Sequence, residues 1–304
     1  MLRLGLGVTT YNRAESLART LDGVARFTAT PHRLVVADDG SADDTLAMLR
    51  ARKVPHLGGP NRGIAWNKNR VLFYLHEVAR CDVVIMLEDD TVPTSPGWER
   101  PWIEAAHRFG HANLAGEWFA ERFISGAGTP SDPVLCTDIT GQCVSFSRRA
   151  LRAVGYMDTR FERYGFEHCD HSERLRAAGF GGRADPPAYY LLKSDFHILF
   201  EASDYRDELE RNALIYLQVK QDRALYRRPW RSLADLRQLT ADLRRAEPYD
   251  PWLKARLALS LASLPARFGA RWLAQRALLG ARRTARRLQA PRRPHGPGEQ
   301  TDAT

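Results

Sequence analysis

Short apolar runs alternate with amphipathic stretches along the opening third of the chain. Leu2 to Val8 reads as a strand, and the polar run Thr9-Thr10-Tyr11-Asn12 leads from it into a helix predicted from about Ala14 to Arg26. His32 to Ala37 predicts a second strand that closes in Asp38-Asp39-Gly40-Ser41, and a helix with a polar N-terminus runs from Asp44 to Arg50. The loop Gly58 to Gly63 feeds a helix from about Ile64 to Ala79. Val83 to Leu87 then predicts a buried strand that stops at Glu88-Asp89-Asp90. This alternation predicts an α/β fold, a mostly parallel sheet with helices on both faces. Ligands of such sheets bind beyond the carboxyl ends of the strands, where all three polar clusters lie, so one crevice is expected to collect them.

Beyond Trp98 the pattern is less regular. Ser125 to Pro133 is a Gly/Pro/Ser-rich loop, and Tyr164 to His171 leads into a helix through about Ala178. After Asp204 the chain turns helical and basic, divided by prolines at 229, 248, 251 and 265. Pro291 to Thr304 has the composition of a disordered tail.

The chain has 304 residues and a net charge of +9, which suggests one large domain with an appendage, or two domains. An apolar content of 44% excludes a disordered chain. The charge is uneven: positions 223–294 carry eighteen Lys/Arg against four Asp/Glu, whereas residues 1–222 balance at −3. The basic character therefore belongs to the tail. Four cysteines, Cys81, Cys136, Cys143 and Cys169, show no CxxC pair, which argues for reduced thiols rather than a zinc site or disulfide scaffold. The opening apolar run is too short for a signal peptide, and no window of about 18 apolar residues occurs. A cytoplasmic protein is expected.

Glu88-Asp89-Asp90 at a strand end is a hard-oxygen site suited to Mg²⁺ or Mn²⁺, which in turn binds a diphosphate. Asp38-Asp39 sits at a neighbouring strand end, where a carboxylate can accept hydrogen bonds from a ribose or a base N–H. The first strand lacks a GxGxxG loop, which argues against a dinucleotide site.

Val8-Thr9-Thr10-Tyr11-Asn12-Arg13, Val36-Ala37-Asp38-Asp39-Gly40-Ser41, Asn61-x-Gly63 with Asn69, and Leu87-Glu88-Asp89-Asp90 together resemble a family 2 glycosyltransferase of the GT-A fold. Gly165-Phe166-Glu167-His168-Cys169-Asp170, continuing through Arg174 to Ala178-Gly179, is similar to that family's acceptor-side segment. The resemblance covers roughly residues 1–200. It implies a GT-A catalytic domain over 1–204; outside the resemblance, composition predicts a basic helical region over 205–290 and a disordered tail over 291–304. It also implies Asp38 on the nucleotide's base or ribose, with Thr9, Tyr11, Arg13, Asn61, Glu88 and Asp89 lining the donor pocket. Asp90 would bind Mn²⁺ or Mg²⁺, with His197 completing the metal site. Relatives often place a catalytic base where this chain has His168; Glu167 and Asp170 are the other candidates, with Glu167 or His168 favoured.

The implied reaction is inverting transfer from a nucleotide-sugar donor to a glycan or lipid-linked acceptor, in cell-surface polysaccharide synthesis. Ser125 to Pro133 has the composition of a lid, and Trp118 and Phe119 suit either sugar stacking or the core. Two alternatives are a nucleotidyltransferase of related fold and a non-catalytic sugar-nucleotide-binding module. The Arg, Trp and Leu mixture over residues 252–273 suits a perch on an anionic membrane surface, at the inner face of the cytoplasmic membrane, helices packed on the catalytic domain, or a dimer contact. No nucleic-acid partner is expected.

Overall fold

The computed structural model describes residues 2–200, 206–247 and 250–269. In chain order the first elements are β1 (Leu4–Thr10), α1 (Ala14–Phe27), β2 (His32–Asp38), α2 (Thr45–Ala51), β3 (His56–Gly58), α3 (Ile64–Phe73) and β4 (Val83–Glu88). Then come β5 (Thr91–Pro93), α4 (Glu99–Phe109), β6 (His111–Leu114), β7 (Phe123–Ser125), β8 (Val134–Cys136), β9 (Cys143–Ser147), α5 (Arg148–Val154) and α6 (Glu167–Ala177). The last are β10 (Gly182–Arg183), β11 (Ala188–Leu192), β12 (Phe196–Ile198), α7 (Arg206–Lys220), α8 (Leu233–Arg244) and α9 (Pro251–Ala262). The chain divides into two compact units, Met1–Ala258 and Leu259–Thr304. Every element through α8 belongs to the first. The expected tail over 291–304, and the part of the basic region beyond residue 269, lie outside the described residues.

The main sheet runs β3-β2-β1-β4-β9-β6-β11-β8-β7, with β10 on β11. Its first four strands are parallel, as the strand–helix alternation predicts. Beyond β4 the sheet becomes mixed: β9 runs antiparallel between β4 and β6, and β6 and β11 are again parallel. β5 and β12 form a separate antiparallel ribbon.

β1 shows how the sequence sets the layers. Leu4, Leu6 and Val8 point to one face, into a core shared with Leu17, Leu21 and Val24 of α1 and Trp102 of α4. The alternate positions are glycines. A Cβ at Gly7 would lie only 2.1 Å from Val71 Cγ1, so the absence of side chains lets α3 press directly onto the strand. Nine of the ten α3 residues are buried in consequence, including Asn67, Lys68, Asn69 and Arg70. Polar groups buried in this way require partners, and those of Asn67 and some of those of Lys68 and Arg70 lie at the strand ends. The helix continues through a π turn over Tyr74–Val78, which completes the stretch predicted to Ala79.

Candidate active site

The carboxyl ends of β1 and β4, the loop before α3, the start of α6 and the start of α8 surround one cleft of about 1300 Å³. On its β1 side stand Thr9, Tyr11 and Arg13, with Asn61 beside them; on the β4 side stand Glu88, Asp89 and Asp90. Glu167 and His168 face it from α6, and Trp118 borders it as a half-exposed ring.

Asp89 is buried. Its Oδ2 accepts from the Thr10 hydroxyl at 2.7 Å, its Oδ1 lies 3.2 Å from Arg13 Nη1, and its carbonyl accepts from Ser16 and Thr20 of α1. Burial pushes its carboxyl up to about 7. Asp90 stays more open, with Oδ2 3.4 Å from Arg13 Nη1 and Oδ1 accepting from Thr91. Burial, then the neighbouring Glu88 charge, raise its carboxyl to about 6. Glu88 and Asp90 thus form an oxygen-rich strand end in which the Glu88 charge adds to the cost of ionising Asp90. Such a pair suits a hard divalent cation whose remaining positions are filled by phosphate or water. Among the described residues no group of three or more His, Cys, Asp or Glu is placed to hold a metal ion.

Lys68 joins the two sides. Its side chain is 1% exposed, and Nζ lies 2.7 Å from Glu88 Oε1 and 3.0 Å from Glu167 Oε1. Burial opposes its charge, but the two carboxylates outweigh that and hold its pKa above the ordinary lysine range. Glu167 shows the converse: burial raises its carboxyl, yet Lys68 and His168 bring it well below the usual range. His168 Nδ1 lies 3.3 Å from Glu167 Oε1 and Nε2 lies 3.4 Å from Cys169 Sγ. Burial disfavours the imidazolium, but those two neighbours raise its pKa well above the histidine norm.

α6 is positioned from behind. Phe166 enters the helix with φ of 67°, and Asp170 turns away from the cleft to pair with Arg174 Nε at 2.8 Å. Arg174 in turn donates to the carbonyls of Val154 and Tyr156. One turn further, Ser172 Oγ meets His111 Nε2 at 2.9 Å, and burial holds His111 down at about 4. Because that folded-state pKa is depressed, the unfolded chain binds the extra proton, and stability from this group falls as pH drops from about 6.5 to about 4. The shift corresponds to roughly 3 kcal/mol. Buried Asp89 and Asp90, with raised values, work in the opposite direction, so the expected result is differential. Urea unfolding of wild type and His111→Gln should converge on going from pH 7 to pH 4, because the wild type loses more than the variant does. A constant gap would refute the assignment.

Several expected site residues take other places. Asp38 is 1% exposed and closes its own turn by accepting from the amides of Gly40 and Ser41; it does not line the cleft. The adjacent Asp39 does. It accepts from the amides of Arg62 and Gly63 and from Arg70 Nη1 at 2.7 Å, and burial raises its carboxyl despite these donors. His197 is exposed on β12, opposite Val92, and does not line the cleft, although Leu199 two residues on donates to the Asp90 carbonyl. Asp170 serves its ion pair. The supposed lid, Ser125 to Pro133, closes the β7–β8 hairpin with the Gly128 and Thr129 amides donating to the Asp132 carbonyl and the Ala127 amide to its carboxylate, and none of its residues borders the cleft. Trp118 faces the cleft and Phe119 packs into the core beside Val134 and Cys136. Asn69 is structural, exchanging two hydrogen bonds with the Met157 backbone.

Lys68 and Arg70 went unassigned in the sequence reading. Their signal is Asn67-Lys68-Asn69-Arg70 inside a helix that must bury itself against Gly5 and Gly7: four consecutive polar residues on all sides of such a helix need internal partners.

An α/β sheet whose strand ends gather carboxylates on one side of a cleft, with an acidic and imidazole pair on the other, has the layout of a GT-A transferase. Residues 6–155 match the glycosyl transferase family 2 model. Those residues form a glycosyl transferase family 2 domain, and the chain is a glycosyltransferase. Similar solved structures include the mannosyltransferase PcManGT from Pyrobaculum calidifontis, in complex with GDP-Man and Mn²⁺. It is 18% identical, with 91% of this chain and 80% of that one covered and a TM-score of 0.54. TarS from S. aureus is 14% identical over 80% of this chain and 43% of its own, with a TM-score of 0.50. These likenesses show the shared fold. No curated protein matches the chain significantly.

Proposed function

We propose that this glycosyltransferase moves a sugar from a nucleoside-diphosphate donor to an acceptor hydroxyl on a glycan or lipid-linked glycan, with inversion at the anomeric carbon. The observation that carries the reading is the Lys68 bridge, which sets the acidic end of β4 and the Glu167–His168 pair against each other across one cleft. Glu88 and Asp90 would hold Mn²⁺ or Mg²⁺, in keeping with the metal in the mannosyltransferase complex. When bound, the cation offsets charge developing on the departing diphosphate.

The residues divide the work around it. Arg13, whose guanidinium sits between Asp89 and Asp90, adds a fixed positive group on the diphosphate side. Asp39, Asn61 and Tyr11 border the nucleoside end, Asp39 standing where Asp38 was expected. Glu167, kept ionised by Lys68 and His168, takes the acceptor proton, and the more exposed His168, its pKa raised, meets the cleft as a positive group. A single in-line displacement follows and inverts configuration. Trp118 offers its ring to the sugar. Synthesis of a cell-surface polysaccharide is the setting we favour. The exposed Trp252 on α9, with Lys254 and Arg256 following in the same helix, supports attachment at an anionic membrane surface. Among the described residues no helix is long and apolar enough to cross a membrane.

A thermal-shift screen of sugar nucleotides with Mn²⁺ tests the donor reading. One nucleoside-diphosphate sugar at about a hundred times its Kd should add roughly 2.7 kcal/mol of stability. If no nucleotide raises the melting temperature in the presence of metal, the reading fails. Given a donor, Glu167→Gln and His168→Asn should each abolish transfer while leaving that thermal shift in place.

A further inference from the structure

The family match ends at residue 155, yet a helix far beyond it reaches the cleft. Arg62, Trp66 and Arg70 lie four residues apart on one side of α3 and its approach. Asp235, Gln238 and Asp242 present the matching side of α8. Arg62 Nη1 lies 3.3 Å from Asp235 Oδ1, and the Arg62 guanidinium stacks on the Trp66 ring at 4.7 Å. Asp242, 0% exposed, accepts from Trp66 Nε1 at 3.1 Å and from Arg70 Nε at 2.9 Å, and Gln238 donates to its other oxygen. The fit is tight: a Cβ at Gly59 would lie 2.5 Å from Asp242 Oδ1.

Arg70 passes the contact on. Its Nη1 holds Asp39 and its Nη2 donates to the Pro60 carbonyl at 2.9 Å. Asp39 in turn fixes the amides of Arg62 and Gly63. Arg62 and Gly63 both border the cleft, and Gly63, with φ of 88°, passes so close to Arg163 that a Cβ would meet its nitrogen at 2.2 Å. The loop that walls the nucleoside end has its shape set through this relay from the back.

We infer that α8 is a latch on the donor loop, with Asp242 and Asp235 as positioning residues that hold residues 59–63 in the shape that receives the nucleoside diphosphate. Breaking the latch frees the loop without touching Glu88, Asp90 or the Glu167–His168 pair. Its cost falls on donor affinity rather than on the chemical step. The functional half of this inference rests on the donor reading above; the structural half does not.

Amide hydrogen exchange on the full chain, without nucleotide, tests the structural half. In Asp242→Asn the segment 58–64 should exchange at least tenfold faster than in wild type, while β1 and β4 keep their protection. Asp235→Asn, a milder change at the exposed end of the latch, should show the same local effect in a smaller degree and covers the case in which Asp242→Asn does not fold. Unchanged exchange over 58–64 in the folded variants overturns the latch. Titration with UDP and GDP plus Mn²⁺, and donor hydrolysis, test the functional half. Affinity should fall about tenfold and the donor KM rise accordingly, with kcat held. Faster exchange with no nucleotide bound by any form upholds the latch and removes the donor reading. Faster exchange with undiminished nucleotide affinity overturns the positioning role.

Discussion

Lys68→Met is expected to lower stability by roughly 3–5 kcal/mol, because removing one partner of a buried ion pair leaves the other charge uncompensated. The variant leaves Glu88 and Glu167 facing each other, and Glu167 Oε2 is already buried without a hydrogen-bond partner. The pH dependence separates this cause from mere loss of packing. In wild type the Glu167 carboxyl lies well below its ordinary value, so its contribution is present above about pH 4.5 and is lost as pH falls through the folded-state value. Without Lys68 only His168 offsets burial, so the folded-state value rises and the variant draws less stability from the ionised carboxylate as pH increases. The gap between the two proteins should be widest at neutral pH and should close in acid. Denaturant unfolding from pH 4 to pH 8 measures it, and a gap independent of pH would show that the ion pair does not act as described. Transfer should fall as well, since the same lysine sets the charge and orientation of the proposed base.

Asp90→Ala is expected to reduce metal-dependent transfer by at least roughly a hundredfold, the scale on which one transition-state charge contact acts. Its effect on folding should run the other way. Asp90 is raised to about 6 by burial and by Glu88, so at neutral pH its ionised form is held at a cost, and alanine removes that cost. Arg13 retains Asp89 as a partner. The variant should therefore melt no lower than wild type without metal, and should lose the rise in melting temperature that Mn²⁺ and nucleotide give the wild type. Turnover equal to wild type, or an undiminished metal-dependent rise, would remove Asp90 from the metal site.

The parallel half of the fold was legible because its signals are local: buried strands such as Val83 to Leu87 end abruptly in charge, and helix starts follow turn-forming loops. β9 was not legible as an antiparallel strand wedged between β4 and β6, since Cys143 to Ser147 reads as an ordinary apolar run whatever its direction. At the site, the acidic strand ends identified the cleft, but adjacent carboxylates are separated by geometry alone. Asp38 and Asp39 differ by one residue; one bonds to its own turn and the other reaches across to Arg70. Lys68 and α8 were missed for a related reason. Their partners lie 99 and 172 residues away in sequence, as in Lys68–Glu167 and Arg70–Asp242, a separation that no local pattern encodes.

The close seat of α3 on the glycines of β1 also constrains how this enzyme can diverge. A helix without a solvent side has no position at which a substitution affects ligand choice alone: each change there disturbs the protein's interior and its chemistry together. New preferences for donor or acceptor would accordingly arise from the mouth of the cleft, at Tyr11, Trp118 or Arg231, where side chains can be exchanged while the floor stays fixed.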